Sequence, residues 1–129
     1  MNDLNSLINE YMELAISTGK AIVDPDNKTL RRNEKKEKQL LVRLRSLGET
    51  AHQSLVSLLE HENEYVRFSA AYNLIKIDSE KSIEVLQQIV ENSAKSFLSG
   101  HAEMALDIFK NTPDKIPDDF QFWTIIREI

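Results

Sequence analysis

The residues of this chain that can do chemistry are few, and their spacing limits them further. His101-Ala102-Glu103 has the form of half a zinc deaminase centre, in which the imidazole ligates zinc and the carboxylate moves protons. The other half is a Pro-Cys-x-x-Cys turn, and the chain contains no cysteine. That absence also removes disulfides, thiolate metal sites and cysteine nucleophiles. His52 and His61 stand nine residues apart, whereas two ligands on one helix need a spacing of three or four. Both are expected at the surface. No Gly-x-x-x-x-Gly-Lys loop or Gly-x-Ser-x-Gly elbow occurs, and no spacing singles out a converging carboxylate pair. The expectation is a protein that is not an enzyme and uses no cofactor or metal.

What remains is the chemistry of recognition. Between residues 28 and 45 eight Lys and Arg face only Glu34 and Glu37, a local balance of +6 in a chain of net charge -5, so the rest carries -11. Lys28, Arg31, Arg32, Lys35 and Lys36 share one helical face and can reach phosphates, so basic helix 28–45 is a candidate nucleic-acid surface. The plainer reading is a solvated face with a Glu34–Lys38 pair one turn apart, because no aromatic residues interleave the stripe and the acidic remainder repels a phosphate backbone. That remainder suits a basic protein partner. Tyr65, Phe68 and Tyr72 fall on one face at i, i+3 and i+7, with Glu62 and Glu64 nearby and Glu103 and Asp107 one repeat further on. These rings either form an aromatic binding strip or pack as ordinary core. Tyr65 and Tyr72 are expected half-exposed, Phe68 and Phe97 buried. Glu62, Glu64, Tyr65, Tyr72, Glu103 and Asp107 are the candidate partner-binding residues. Arg67 is expected to join neighbouring repeats through a carboxylate.

These positions need helices to carry them. Three Gly and three Pro in 129 residues are too few for a protein of many tight turns, and none of the prolines lies between residues 26 and 112. Apolar residues recur at helical spacing from about Asp3 to Lys20. Asp24-Pro25 reads as an N-cap and first helical position for a second helix of about 22 residues, ending before Gly48. Thr50 with Gln53 reads as a capping box for a third. Asn63 caps a fourth bearing Val66, Ala70, Leu74 and Ile77, Asp78 or Ser79 opens a fifth, and a sixth starts near Phe97. The segment 111–129, with Trp123 as its anchor, is expected to cap the last pair.

The helices repeat. A shift of 32 carries Val66, Ala70 and Leu74 onto Leu98, Ala102 and Leu106, and a shift of 31 carries Leu55, Leu58 and Leu59 onto Leu86, Ile89 and Val90. A unit of two short helices cannot bury its apolar face alone and must stack on its neighbour. The chain is therefore expected to be all-α, an α-α superhelix of about six helices in three antiparallel pairs plus a C-terminal capping helix, all within one domain, 1–129.

The string Glu62-Asn63-Glu64-Tyr65-Val66-Arg67, followed by Ala70-Ala71 and Leu74, resembles a HEAT-type repeat, whose second helix commonly opens with Asn-x-x-Val-Arg and continues with paired Ala. Together with Tyr11 to Ala15, Asn33, Leu47-Gly48 and Ala102 to Leu106, it is similar to the bacterial HEAT-like family named domain of unknown function 2019, over residues 4 to 110. Members tend to carry a proline before the sixth helix where this chain has Phe97-Leu98-Ser99-Gly100, and the segment after Lys110 lies outside the pattern. The resemblance implies a small superhelix without catalytic residues, and some relatives are thought to act as immunity proteins in toxin systems. With no basic-then-apolar leader and no apolar run long enough for a bilayer, a cytoplasmic location and no membrane contact are expected. The functional expectation is an immunity or antitoxin-type protein that binds and neutralises a basic toxin, with nucleic-acid binding through 28–45 as the alternative.

Overall fold

In the computed structural model, which describes residues 3–75, 77–92 and 97–113, six α-helices follow one another: α1 (Asp3–Val23), α2 (Asn27–Ser46), α3 (Glu49–Ser57), α4 (Glu64–Leu74), α5 (Ser79–Asn92) and α6 (Phe97–Asn111). A 3-10 turn, Leu58–Glu60, extends α3. No strand occurs among the described residues. The helices stack as three antiparallel pairs, α1 with α2, α3 with α4 and α5 with α6, in a short helical solenoid.

The connections explain where each helix stops. α1 continues past Lys20 to Val23, and the amide of Asp26 bonds back to the Ala21 carbonyl at 3.0 Å. Asp24-Pro25 is thus used to close α1, and Asp26 rather than Asp24 caps α2: its carboxylate accepts from the Thr29 amide at 3.1 Å and the Thr29 hydroxyl at 2.7 Å. Those bonds hold the Asp26 carboxyl below the ordinary range. At the next joint Gly48 adopts φ 74°, ψ -146°, a backbone region open essentially to glycine alone. Its carbonyl accepts from the amides of Ala51 and His52, so α3 starts two residues earlier than a Thr50 capping box requires. Gln53 instead donates to the Glu49 carboxylate at 2.7 Å. Asn63 caps α4 as expected, accepting from Tyr65 N at 2.8 Å and Val66 N at 3.2 Å.

One core runs through all three layers. Leu41, Leu44, Leu55, Val66, Leu74, Leu86, Ile89 and Leu98 are essentially inaccessible. The repeat offset survives in burial: Val66 and Leu98, Ala70 and Ala102, and Leu55 and Leu86 are each buried at 1% exposure or less, while Leu106 and Val90 pack against the core edge. Ala70 and Ala71 are fully buried at helix contacts, as their size suggested.

α1 does more than begin the stack. Besides α2 it packs against α4 and α6, with its stripe Tyr11, Ala15 and Gly19 running antiparallel to Asn73, Ser69 and Tyr65 of α4. A Cβ on Gly19 would collide with the Tyr65 ring, and would lie only 2.7 Å from Tyr65 Cβ. The missing side chain is what allows the two helices to meet there. The expected capping helix with Trp123 lies outside the described residues.

Candidate functional site

The packing of α1 onto α4 leaves a cleft of about 230 Å³ bounded by α1, α2 and α4, with His101 of α6 at its edge. Its walls are mostly apolar: Ala15 and Ile22 from α1, Leu30 from α2, and Phe68 and Tyr72 from α4, whose rings stack with centroids 5.9 Å apart. Two carboxylates enter from α2, Glu34 exposed and Glu37 half-buried, and Lys38 borders them.

Glu37 terminates a buried polar chain. Ser69 Oγ donates to Glu37 Oε2 at 3.3 Å, so the hydroxyl of Tyr11 must donate to Ser69 Oγ, 2.7 Å away. Asn73 Nδ2 donates to the Tyr11 oxygen at 2.8 Å and approaches Glu37 Oε2 at 3.4 Å. Asn73 Nδ2 also donates to the Ser69 carbonyl at 3.1 Å, so the Tyr11 and Ser69 hydroxyls run in sequence toward the carboxylate while Asn73 divides its two hydrogens among Tyr11, Ser69 and Glu37. Burial raises the Glu37 carboxyl above its ordinary range, against the lowering effect of the Asn73 and Ser69 hydrogen bonds, and Glu34 raises it further. Burial, followed by the Glu37 charge, also lifts the Tyr11 phenol far above its usual value. Asn33 anchors α2 to α1 beside this chain by donating to Ser17 Oγ and Thr18 Oγ1 at 3.0 and 3.1 Å.

The residues proposed from the sequence do not gather at one point. Tyr72 lines the cleft, but Tyr65 is turned onto Gly19, half-buried, outside the lining. Phe68 is buried at 8% exposure, as expected. Glu62 is exposed and Glu64 half-buried at the start of α4, while Glu103 and Asp107 are exposed on α6. Phe97 departs from expectation: it is 59% exposed, because it opens the last helix of the stack, where no further pair follows among the described residues, whereas its repeat equivalent Tyr65 rests on α1. Met104 on the same face is 52% exposed.

Three further expectations are corrected. His52 is buried, with Nε2 3.0 Å from Asp78 Oδ2 and Nδ1 3.5 Å from Glu49, so it ties α3 to the turn that opens α5. His61 is half-buried, and its Nδ1 accepts from the Asn63 amide at 3.0 Å. Arg67 donates to the carbonyls of His61 and Glu62 at 2.8 and 3.0 Å, so it braces its own turn and not a neighbouring repeat. The basic stripe of α2 is solvent-exposed at all five of its positions. Among the described residues no cluster of three or more potential metal ligands occurs, and no helix is long and apolar enough to cross a membrane.

Sequence reasoning missed Glu37, Ser69, Asn73 and Gly19. The signal was available: Leu30, Asn33, Glu37, Leu40 and Leu44 fall on one helical stripe, which places Glu37 on the buried side of an otherwise basic helix. The family profile of HEAT repeats matches residues 27–107, well over half of the chain. The chain belongs to the HEAT repeat family. HEAT repeats typically form a non-catalytic scaffold, a helical module for protein interaction. Comparison with curated proteins and with solved structures gave no match. The matched span of the HEAT module begins at α2 and ends within α6, so α1, which forms one wall of the cleft, lies before it.

Proposed function

We propose that this HEAT module is an immunity or antitoxin-type protein of the bacterial cytoplasm that binds and masks a basic toxin, such as a nuclease. The observation that carries the reading is on α6: Phe97 and Met104 are exposed on the face that also presents His101 to the cleft, and Glu103 and Asp107 flank them in solvent. An exposed apolar strip rimmed by carboxylates is the composition of a protein-binding surface. A nuclease must present a cationic face to its own substrate, so carboxylates around an apolar anchor give its inhibitor both association rate and selectivity. The proposed contact also includes Tyr72 at the cleft, Tyr65 on Gly19, and Glu62 and Glu64 at the start of α4. The similarity to the domain of unknown function 2019 pattern supports the same reading. The proposed unit is the whole chain, 1–129, with 111–129 as its cap.

The test is direct mixing with the product of the neighbouring gene. The expected result is a complex that survives gel filtration and suppresses the partner's toxicity, and that is lost in the triple variant Tyr72→Ala, Glu103→Lys, Asp107→Lys. Absence of binding removes the toxin reading, while binding unchanged in the triple variant removes the surface.

A further inference from the structure

The cleft itself suggests what part of such a partner it takes. Its volume, about 230 Å³, falls short of the several hundred Å³ of pockets that hold cofactors or drug-sized ligands. It has the scale of one long side chain. Acceptors crowd one end: Glu34 stands at the rim, and Glu37 receives both of its hydrogen bonds, from Ser69 and Asn73, on Oε2 and at long distances of 3.3 and 3.4 Å. The apolar part of the lining is supplied by Ile22, Leu30 and the paired rings of Phe68 and Tyr72. The chain's own Lys38 also lines the cleft, and its charge acts on Glu37.

We propose, building on the protein-binding reading above, that the cleft between α1, α2 and α4 receives the side chain of a single arginine from the partner protein, with its guanidinium at Glu37 and Glu34 and its methylene stem along Ile22, Leu30 and Tyr72. Arginine suits the site better than lysine for three reasons. Its planar fork presents five donors to an acceptor-rich end, it is more weakly hydrated than an ammonium on entering a half-buried site, and its flat cation stacks on aromatic faces. A charged hydrogen bond to Glu37 also supplies a strong donor to a carboxylate whose present hydrogen bonds are long.

The experiment uses the isotope-labelled full chain and three small probes: Nα-acetyl-arginine methylamide, Nα-acetyl-lysine methylamide and Nα-acetyl-norleucine methylamide. The expected outcome is saturable amide shifts centred on Gly19, Ser69 and Tyr72 with the arginine probe at around millimolar concentration, weaker shifts with lysine and none that saturate with norleucine. Glu37→Gln keeps an oxygen acceptor for Ser69 and Asn73, and should weaken the arginine probe about fivefold or more with the rest of the spectrum unchanged. If that variant does not fold, Glu34→Gln at the exposed rim takes its place, with a loss of about threefold expected. Norleucine binding as well as arginine, shifts centred elsewhere, or full affinity in the folded variants would overturn the proposal. These outcomes are separate from the partner test: a partner that binds while the arginine probe does not leaves the protein-binding reading standing and removes only the arginine site.

Discussion

Replacing glycine by alanine at two positions should move stability in opposite directions, and the difference measures how closely α1 approaches α4. Inside a helix the exchange is worth up to about 1 kcal/mol in favour of alanine, because glycine loses more backbone freedom on folding. At Gly100 nothing lies within 4 Å of the added Cβ, so Gly100→Ala should show that gain alone. At Gly19 the Cβ would overlap the Tyr65 ring and sit 2.7 Å from Tyr65 Cβ, the rigid root of that side chain and not its flexible end. Overpacking of this kind costs about 1–3 kcal/mol. Separating the helices also stretches the Tyr11–Ser69 and Asn73–Tyr11 hydrogen bonds on the same stripe, now 2.7 and 2.8 Å, each worth about 1 kcal/mol. The steric and polar losses exceed the propensity gain, leaving Gly19→Ala destabilised by about 1–3 kcal/mol. At about 4 °C per kcal/mol for a chain of this length, calorimetry should record a fall in Tm of about 4–12 °C, against a rise of up to about 4 °C for Gly100→Ala. A Gly19→Ala protein that melts as high as Gly100→Ala would refute the close approach and the cleft wall that depends on it.

Glu37→Gln should raise Tm at neutral pH. The folded carboxyl binds its proton more readily than the unfolded one, so its contribution to stability is complete below the unfolded pKa and is lost as pH climbs through the raised folded value; the gap from wild type should therefore close near about pH 4. Asn63→Ala removes the cap that accepts from two α4 amides and should cost about 1 kcal/mol in urea unfolding, and an unchanged midpoint would mean the cap contributes nothing. Deleting residues 114–129 should lower Tm or cause aggregation, since terminal repeats need covering, and an equally stable, soluble truncation would contradict the capping role. A generic DNA duplex should show no sub-micromolar binding by fluorescence anisotropy at physiological salt, because only about five aligned charges oppose an acidic remainder; tight binding weakened by Arg31→Glu with Lys35→Glu would favour the nucleic-acid alternative.

Helix number, pairing and most of the core could be read from the sequence because they follow from local periodicity, which a solenoid preserves: Leu98 repeats Val66 and Ala102 repeats Ala70 in sequence and in burial alike. Cap placement was less legible. Gly48 changes the start of α3 through its backbone conformation, while Asp24-Pro25 was displaced from capping because α1 runs three residues beyond Lys20. The cleft was hidden for a different reason. It depends on α1 turning back across α4 and α6, a contact between residues some sixty positions apart, such as Tyr11 and Ser69, that no repeat period encodes. Glu37 was counted as one charge in a basic run, although its register with Leu40 and Leu44 turns it inward. His52 likewise looked like a surface residue because its partner, Asp78, lies 26 positions away on the next turn.

The two faces of α2 give one more physical consequence. Lys28, Arg31, Arg32, Lys35 and Lys36 point to solvent, while Glu37 on the same helix enters the cleft with Glu34 at its rim. A basic partner is therefore repelled by the outer side of α2 and attracted to the side where α1, α4 and α6 meet. At distances beyond contact, this opposition of sign acts on orientation before any side chain docks, and it weakens as salt shortens the screening length. Reversing the outer stripe with Arg31→Glu and Lys35→Glu should leave the affinity of the arginine probe for the cleft nearly unchanged, since those positions lie outside its lining. The same variant should slow productive association with a full basic protein at low salt by offering it a second, wrong acidic face. Faster productive association in the variant would mean that the outer stripe plays no part in orienting the partner.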